Sequence, residues 1–280
     1  VMQLFTTTEG VVRRSAEATH LLPDLASLQH ALSNGLWDSV ADLPGIPVEL
    51  ESQLLQPPVR PETIAIVGLN YASHAKEVSQ PLPQAPLFGR IDGGVVGGPE
   101  DRITPPAHAG EKVDYEGEIA VVISRPAYQV DATHAWEFVA GLTAVNDVTA
   151  RDLQLAAAAR GDMDGVIAAK AFPGFKPIGP GVLVTAQPPT DVKLVVRVNG
   201  ELRQRAKLSE LLFDIPTLVE AVTASVPLQP GDLICTGSPA GVGLATERFL
   251  AAGDVIEVTV GDLPPLRNVF ESPKVAARLA

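Results

Sequence analysis

The stretch "VDYEGEIAVVI", Val113 to Ile123, sets Asp114, Glu116 and Glu118 at every second position of an apolar strand pattern. Alternate residues of a strand share a face, so three carboxylates stand together where like charges repel. Asp147 follows a second strand pattern, "GLTAVND". Glu116, Glu118 and Asp147 together suit a hard divalent ion, Mg²⁺, Mn²⁺ or Ca²⁺, better than zinc, which favours His and Cys. The alternative is a solvated strand face, common for acidic pairs.

Four further stretches carry chemistry. In "VGLNYASHAKEV" a strand ends at Gly68, and a short helix or turn brings His74 and Glu77, three apart, to one face. A carboxylate-oriented histidine is a general base near neutral pH; a surface His with a chance neighbour is the other reading. In "NDVTARDLQ", Arg151 and Gln154 are placed to bind a carboxylate or carbonyl, or Arg151 to pair with one of the acids. Lys170 interrupts the apolar "VIAAKAF", which is costly unless the ammonium is paired or snorkels to the surface. In "CTGSPAGVG", Thr236 and Ser238 offer hydroxyls, and glycines such as Gly237 let backbone N–H groups approach an oxygen. That loop matches neither a phosphate-binding loop nor a nucleophile elbow, and a flexible surface loop is its alternative.

The elements that must position these groups are mostly short strands. Of 280 residues, 24 are Gly and 25 Pro, which favours turns over long helices. "TIAIVGLN", "GEIAVVI", "GLTAVND", "VKLVVRVNG", "DLICTGS" and "DVIEVTVG" read as strands, with a hairpin turn at Asn199-Gly200. Pro230-Gly231-Asp232 and Gly253-Asp254 are related turns that open two of them. One helix can be capped by Asp214, with Ile215, Leu218, Val219 and Val222 sharing a face; a second is predicted from Asp131 to a stop at Gly141. The first 58 residues differ: strands around Glu9-Gly10, then helical spacing of Leu25, Leu28, Leu32 and Leu36, ending in the prolines of "LLQPPVRPET". Residues 1–58 are therefore expected to form a small N-terminal α/β domain, and 59–280 a β-rich mixed domain.

A formal charge of −12 argues against non-specific nucleic-acid binding. No apolar run is long enough to span a bilayer, and the N-terminus lacks a basic-then-apolar leader. A single cysteine, Cys235, rules out an internal disulfide and fits a reducing cytoplasm.

In this order the blocks "VGLNYASHAKEV", "DYEGEIAVVI", "AVNDVTARDLQ", "KAFPGFKPIGP", "RVNGELRQ" and "PGDLICTGSPAGVG" resemble the fumarylacetoacetate hydrolase family, through its short bacterial acylpyruvase-like and isomerase-like members. The resemblance spans about residues 64 to 270. It implies an α+β, β-rich fold: a mixed β-roll catalytic domain behind the small N-terminal one, in a homodimer. It also implies that Glu116, Glu118 and Asp147 hold a cation, commonly Mg²⁺, and that His74 and Glu77 activate water. Lys170 would face a bound small 2-oxo or 2,4-dioxo acid, with Arg151, Gln154, Thr236 and Gly237 helping to position it. The implied reaction is hydrolytic C–C cleavage of acylpyruvate-type acids, with decarboxylation or keto–enol isomerisation on the same site as alternatives. A non-catalytic ligand-binding relative is the remaining one. Asp114 matches no ligand position. Pro173, Arg90 and Ser238 depart from the family's usual residues and bear on substrate identity and on how Lys170 is held.

Overall fold

Two sheets and a short ribbon carry the chain in the computed structural model, which describes residues 2–51, 54–185, 189 and 191–273. Residues 274–280, the end of the second expected region, lie outside the described residues. The strands are β1 Met2–Thr7, β2 Gly10–Arg14, β3 Thr19–Leu22, β4 Ile46–Pro47, β5 Thr63–Gly68, β6 Leu87–Asp92, β7 Val96–Gly97, β8 Arg102–Ile103 and β9 Val113–Asp114. They continue as β10 Gly117–Ile123, β11 Val139–Asn146, β12 Thr149–Ala150, β13 Lys176–Val184, β14 Lys193–Val198, β15 Glu201–Lys207, β16 Leu233–Cys235, β17 Val255–Val260 and β18 Leu266–Phe270. The helices are α1 Leu28–Ser33, α2 Ala72–Glu77, α3 Arg151–Ala158, α4 Met163–Ala168, α5 Ile215–Thr223 and α6 Gly243–Thr246. Among the described residues the larger mixed sheet has eleven strands, ordered β4-β3-β2-β1-β13-β11-β10-β16-β5-β6 with β7 beside β13. The second has five, β15-β14-β17-β18-β8, and β9 pairs with β12. This is the expected sheet-rich α+β class.

The hydropathy of each strand follows its place. β10 is buried on both faces: Ile119, Val121 and Ile123 enter one core cluster, Ala120 and Val122 the other. It therefore reads as an unbroken apolar run. Each of these larger side chains contributes about 1.5–3 kcal/mol by burial. β14 and β17 alternate instead, burying Leu194, Val196 and Val198, and Ile256, Val258 and Val260. Their buried face packs close to the start of β10, where a Cβ on Gly117 would come within 2.2 Å of Val196 Cγ2. A glycine between the two glutamates is what lets the second sheet approach there.

β1 and β2 form the expected hairpin at Glu9-Gly10, and β1 also pairs antiparallel with β13, so the N-terminal strands extend the main sheet. The helix predicted after them is short. α1 is capped by Ser27 and followed by Gly35 in the left-handed region, so Leu25, Leu28 and Leu32 are buried while Leu36 is exposed. The predicted Asp131–Gly141 helix is corrected: Asp131 caps a 3-10 helix, Ala132–Phe138, and Gly141 belongs to β11. A Cβ there would lie 2.3 Å from the Leu183 carbonyl oxygen, so this glycine serves strand packing and terminates no helix. Asn199 and Gly200, at φ 52° and 78°, turn the β14–β15 hairpin as read. α5 keeps its Asp214 cap, which accepts the Thr217 amide at 3.0 Å. No helix among the described residues is long and apolar enough to cross a membrane.

Candidate active site

β5 and β16 run parallel and adjacent, with Leu233 beside Ile64 and Cys235 beside Ile66. Their C-terminal ends release the segment leading into α2 and the loop 236–242 on the same side of the sheet. The next strand, β10, runs antiparallel and begins there, so the two glutamates, the His74 helix and the glycine-rich loop converge at one sheet end. Asp232 secures both strand starts: Oδ1 accepts the amides of Glu62 and Thr63, each at 2.8 Å, and Oδ2 that of Gln229 at 2.7 Å.

Glu116, Glu118 and Asp147 are buried, and one carboxylate oxygen from each lies within 4.8 Å of the others. The backbone fixes them. The Asp147 amide donates to the Glu116 carbonyl at 2.7 Å, and the Glu116 amide to Asn146 Oδ1 at 3.1 Å. The Gly237 amide donates to Glu118 Oε2 at 2.8 Å. Asp114 is not part of the triad, although strand alternation puts it on the same face. The pairing breaks between β9 and β10, and Asp114 turns to the amides of Tyr115, Gly243 and Leu244 and to Arg151.

Lys170 Nζ sits between two of the acids, 2.5 Å from Glu116 Oε2 and 2.8 Å from Asp147 Oδ2, with Thr149 Oγ1 at 2.9 Å. It is paired, as its apolar surroundings require. Arg151 is likewise held by the acids: Nε donates to Asp114 Oδ2 at 2.8 Å, while its other nitrogens reach Glu116 Oε1 at 2.5 Å and Gln154 Oε1 at 2.7 Å. Of the two options left open for Arg151, this geometry makes it a partner of the carboxylates. The Thr236 hydroxyl donates to the Ile119 carbonyl at 2.9 Å, so its hydrogen is committed to the sheet. Pro173 lies exposed in a turn closed by the Phe175 amide on the Phe172 carbonyl, and it leaves the Lys170 contacts intact. Arg90 is exposed on β6, and Ser238 Oγ accepts from Gln204 Nε2 at 2.7 Å.

His74 and Glu77 meet as predicted, Nδ1 to Oε1 at 2.8 Å, on α2. The Gly241 amide donates to Glu77 Oε2 at 2.8 Å. The glycine-rich loop thus braces Glu118 through Gly237 and the dyad through Gly241.

Four buried carboxylates, Asp114 included, face three buried cations, because Lys176 Nζ lies 2.7 Å from Asp147 Oδ1. Burial alone would raise the Glu116 carboxyl, but the charges of Arg151, Lys170 and His74 hold it well below the usual range. Glu118 goes the other way: burial, then the charges of Asp147 and Glu116, push it well up. Burial opposes the charge on Lys170, but Asp147 and Glu116 raise its ammonium; burial prevails at Lys176 and lowers it. Three oxygen donors with a surplus of negative charge, and an ammonium already seated between two of them, fit a hard divalent cation.

Lys176, Gln204 and Gly241 are site residues that the sequence reading passed over. Lys176 in "FKPIGP" breaks an apolar run just as Lys170 does, so the same signal was present. Gln204 stands with Ala206 on alternate buried positions of β15 and accepts the Gly117 amide at 2.9 Å. Gly241 leaves no such trace, because its contribution is a backbone N–H.

The family model described as "Fumarylacetoacetate (FAA) hydrolase C-terminal" matches residues 63–271. The mitochondrial oxaloacetate tautomerase FAHD2B of Bos taurus is 36% identical over 231 residues, covering 81% of this chain and 71% of that protein. Among solved structures, a 5-carboxymethyl-2-hydroxymuconate delta-isomerase from Mycobacterium smegmatis is 32% identical with a TM-score of 0.74, covering 98% of this chain and 99% of that one. A fumarylacetoacetate hydrolase from Exiguobacterium antarcticum is 30% identical with a TM-score of 0.81, covering 97% of this chain and all of that one, 100%.

Proposed function

The chain belongs to the fumarylacetoacetate hydrolase family, and on that premise we propose that it is a divalent-cation-dependent enzyme interconverting the keto and enol forms of a small 2-oxo dicarboxylic acid of the oxaloacetate type. The observation that carries this reading is one fixed base beside a cluster that stabilises negative charge. His74 Nδ1 meets a carboxylate, which only accepts, so Nδ1 carries the hydrogen and Nε2 keeps its lone pair. Once it has taken a proton, His74 lies close enough for its charge to bear on Glu116.

In this reading His74 Nε2 takes a C3 proton from the keto acid, and the electron pair moves onto the 2-oxygen as an enolate. Transfer of that proton from the imidazolium to the 2-oxygen gives the enol and restores the neutral base, and the reverse path restores the ketone. Glu77, held by Gly241, keeps the imidazole in one tautomer and stabilises its protonated form. A cation held by Glu116, Glu118 and Asp147 would supply Lewis-acid stabilisation of the enolate. Lys170 adds a fixed positive charge at the same pole, and Arg151 holds Glu116 in place.

The tautomerase relative, 36% identical, supports this order of preference. Hydrolytic C–C cleavage of 2,4-dioxo acids is the second reading, and the dyad favours it because a carboxylate-oriented histidine can also activate water. Proton NMR in D₂O separates the two. Tautomerase action speeds keto–enol equilibration and C3 deuteration of oxaloacetate with all carbons retained. Hydrolysis releases pyruvate and a carboxylic acid from an acylpyruvate. Cation-loaded, folded protein that does neither would refute both.

A further inference from the structure

Gln204 reaches the site from the second sheet. On β15 it pairs with Val196 while Leu202 pairs with Arg197, so Arg203 is an extra residue, a β-bulge that re-aims the strand at the start of β10. Every polar atom of the Gln204 amide is then used. Oε1 accepts the Gly117 amide at 2.9 Å, and Nε2 donates to Ser238 Oγ at 2.7 Å and to the Pro239 carbonyl at 2.8 Å. One side chain, 1% exposed, thus ties the glycine between Glu116 and Glu118 to the glycine-rich loop.

The polarity of these bonds is fixed from both ends. A backbone N–H only donates and a carbonyl only accepts, so Oε1 faces Gly117 and Nε2 faces Pro239. Nε2 has only hydrogens to give, so Ser238 Oγ accepts from it and the serine's own hydrogen turns elsewhere. Among the described residues no acceptor takes that hydrogen, whereas Thr236 spends its own on the Ile119 carbonyl. Ser238 keeps 4% exposure, and it follows Gly237, whose amide holds Glu118. Its hydrogen is therefore open to a ligand at the site. We propose that Gln204 is a positioning residue that turns the Ser238 hydroxyl into a donor for a carboxylate oxygen of the bound acid. This rests on the reading of the site as one for a small 2-oxo acid. Without Gln204 the hydroxyl rotates freely, and its hydrogen is no longer directed.

A double-mutant cycle at saturating Mn²⁺ tests this, with Gln204→Met, Ser238→Ala and the two combined. Met keeps the length of the side chain and removes all three hydrogen bonds. Each single variant is expected to raise KM for oxaloacetate about tenfold with kcat retained, the loss of one hydrogen bond to a charged oxygen. The double variant should be no worse than either single one, because both changes remove the same bond. An unchanged KM in either single variant, or losses that multiply in the double, overturns the positioning role. A purely structural Gln204 would lower the melting temperature without that coupling. Should Gln204→Met not fold, Ser238→Ala and Ser238→Thr decide: a raised KM in the alanine variant alone is expected, and any other pattern overturns the proposal. A folded, Mn²⁺-loaded wild type that does not act on oxaloacetate would refute the keto–enol reading separately. The same cycle is then read from the Kd of pyruvate, measured by calorimetry on the Mn²⁺-loaded proteins, with the same pattern expected and the same pattern overturning it.

Discussion

Asp114→Asn changes one oxygen to an amide nitrogen at a fully buried position. In the wild type, Oδ1 accepts from the Tyr115 amide at 2.8 Å and the Gly243 amide at 2.7 Å. Oδ2 accepts from the Leu244 amide at 2.9 Å and from Arg151 Nε at 2.8 Å. Whichever way the asparagine is turned, its NH₂ group faces two donors, and two hydrogen bonds to a charged acceptor are lost. At about 1.5–3 kcal/mol each, the gross loss is about 3–6 kcal/mol. Burial pushes the Asp114 carboxyl up against the pull of Arg151, so part of that loss is returned when the charge is removed. The expected destabilisation is therefore near the lower end, about 3 kcal/mol, against a total of about 5–15 kcal/mol for a folded domain. Equilibrium urea unfolding of chelated protein, followed by tryptophan fluorescence, measures it. A loss below about 1 kcal/mol would refute the account of Asp114 as a structural anchor. A variant that is as stable as wild type yet no longer binds a cation would place Asp114 among the ligands.

Three further outcomes follow from the geometry. His74→Ala should lower kcat by about 10²–10⁴ with Mn²⁺ affinity unchanged, and an unaltered kcat would remove the base from the mechanism. Gly237→Ala forces a side chain onto φ +99° and sets its Cβ 3.0 Å from Asn70 Cβ. It should cost about 1–3 kcal/mol in urea unfolding and weaken Mn²⁺ binding by disturbing the amide on Glu118; wild-type values for both would contradict this. Burial raises the Tyr115 phenol from 10.0 to about 12. Its folded value exceeds its unfolded one, so its contribution to stability is complete below about pH 10 and lost as pH rises through about 12. The fall in unfolding free energy across that window should be shallower in Tyr115→Phe, and an identical slope would contradict the assignment.

Much of this site was legible because its chemistry violates local rules. Glutamates in a strand and a lysine in an apolar run are unfavourable unless something pairs them; Glu116 and Lys170 pair with each other, and Glu118 accepts the Gly237 amide. The His74–Glu77 contact follows from helical spacing, which is local and so readable. Strand positions followed from hydropathy for the same reason. Tertiary choices stayed hidden. Gly141 reads as a helix stop until Leu183 is known to lie against it, and Asp114 reads as a third member of a face until the strand breaks at Tyr115. Gly241 and Gly237 act through backbone amides that any residue possesses, and only the fold shows where those amides point.

In the proposed mechanism Glu116, Glu118 and Asp147 hold a cation on which turnover depends. The most direct measurement follows decay of the oxaloacetate enol absorbance by chelator-stripped enzyme as Mn²⁺ is added back, with Glu116→Gln in parallel. Catalysis should be absent without the cation, rise and saturate as one Mn²⁺ binds per chain, and show no response in Glu116→Gln. Full turnover by stripped enzyme, or a Glu116→Gln protein that responds like the wild type, would contradict that mechanism.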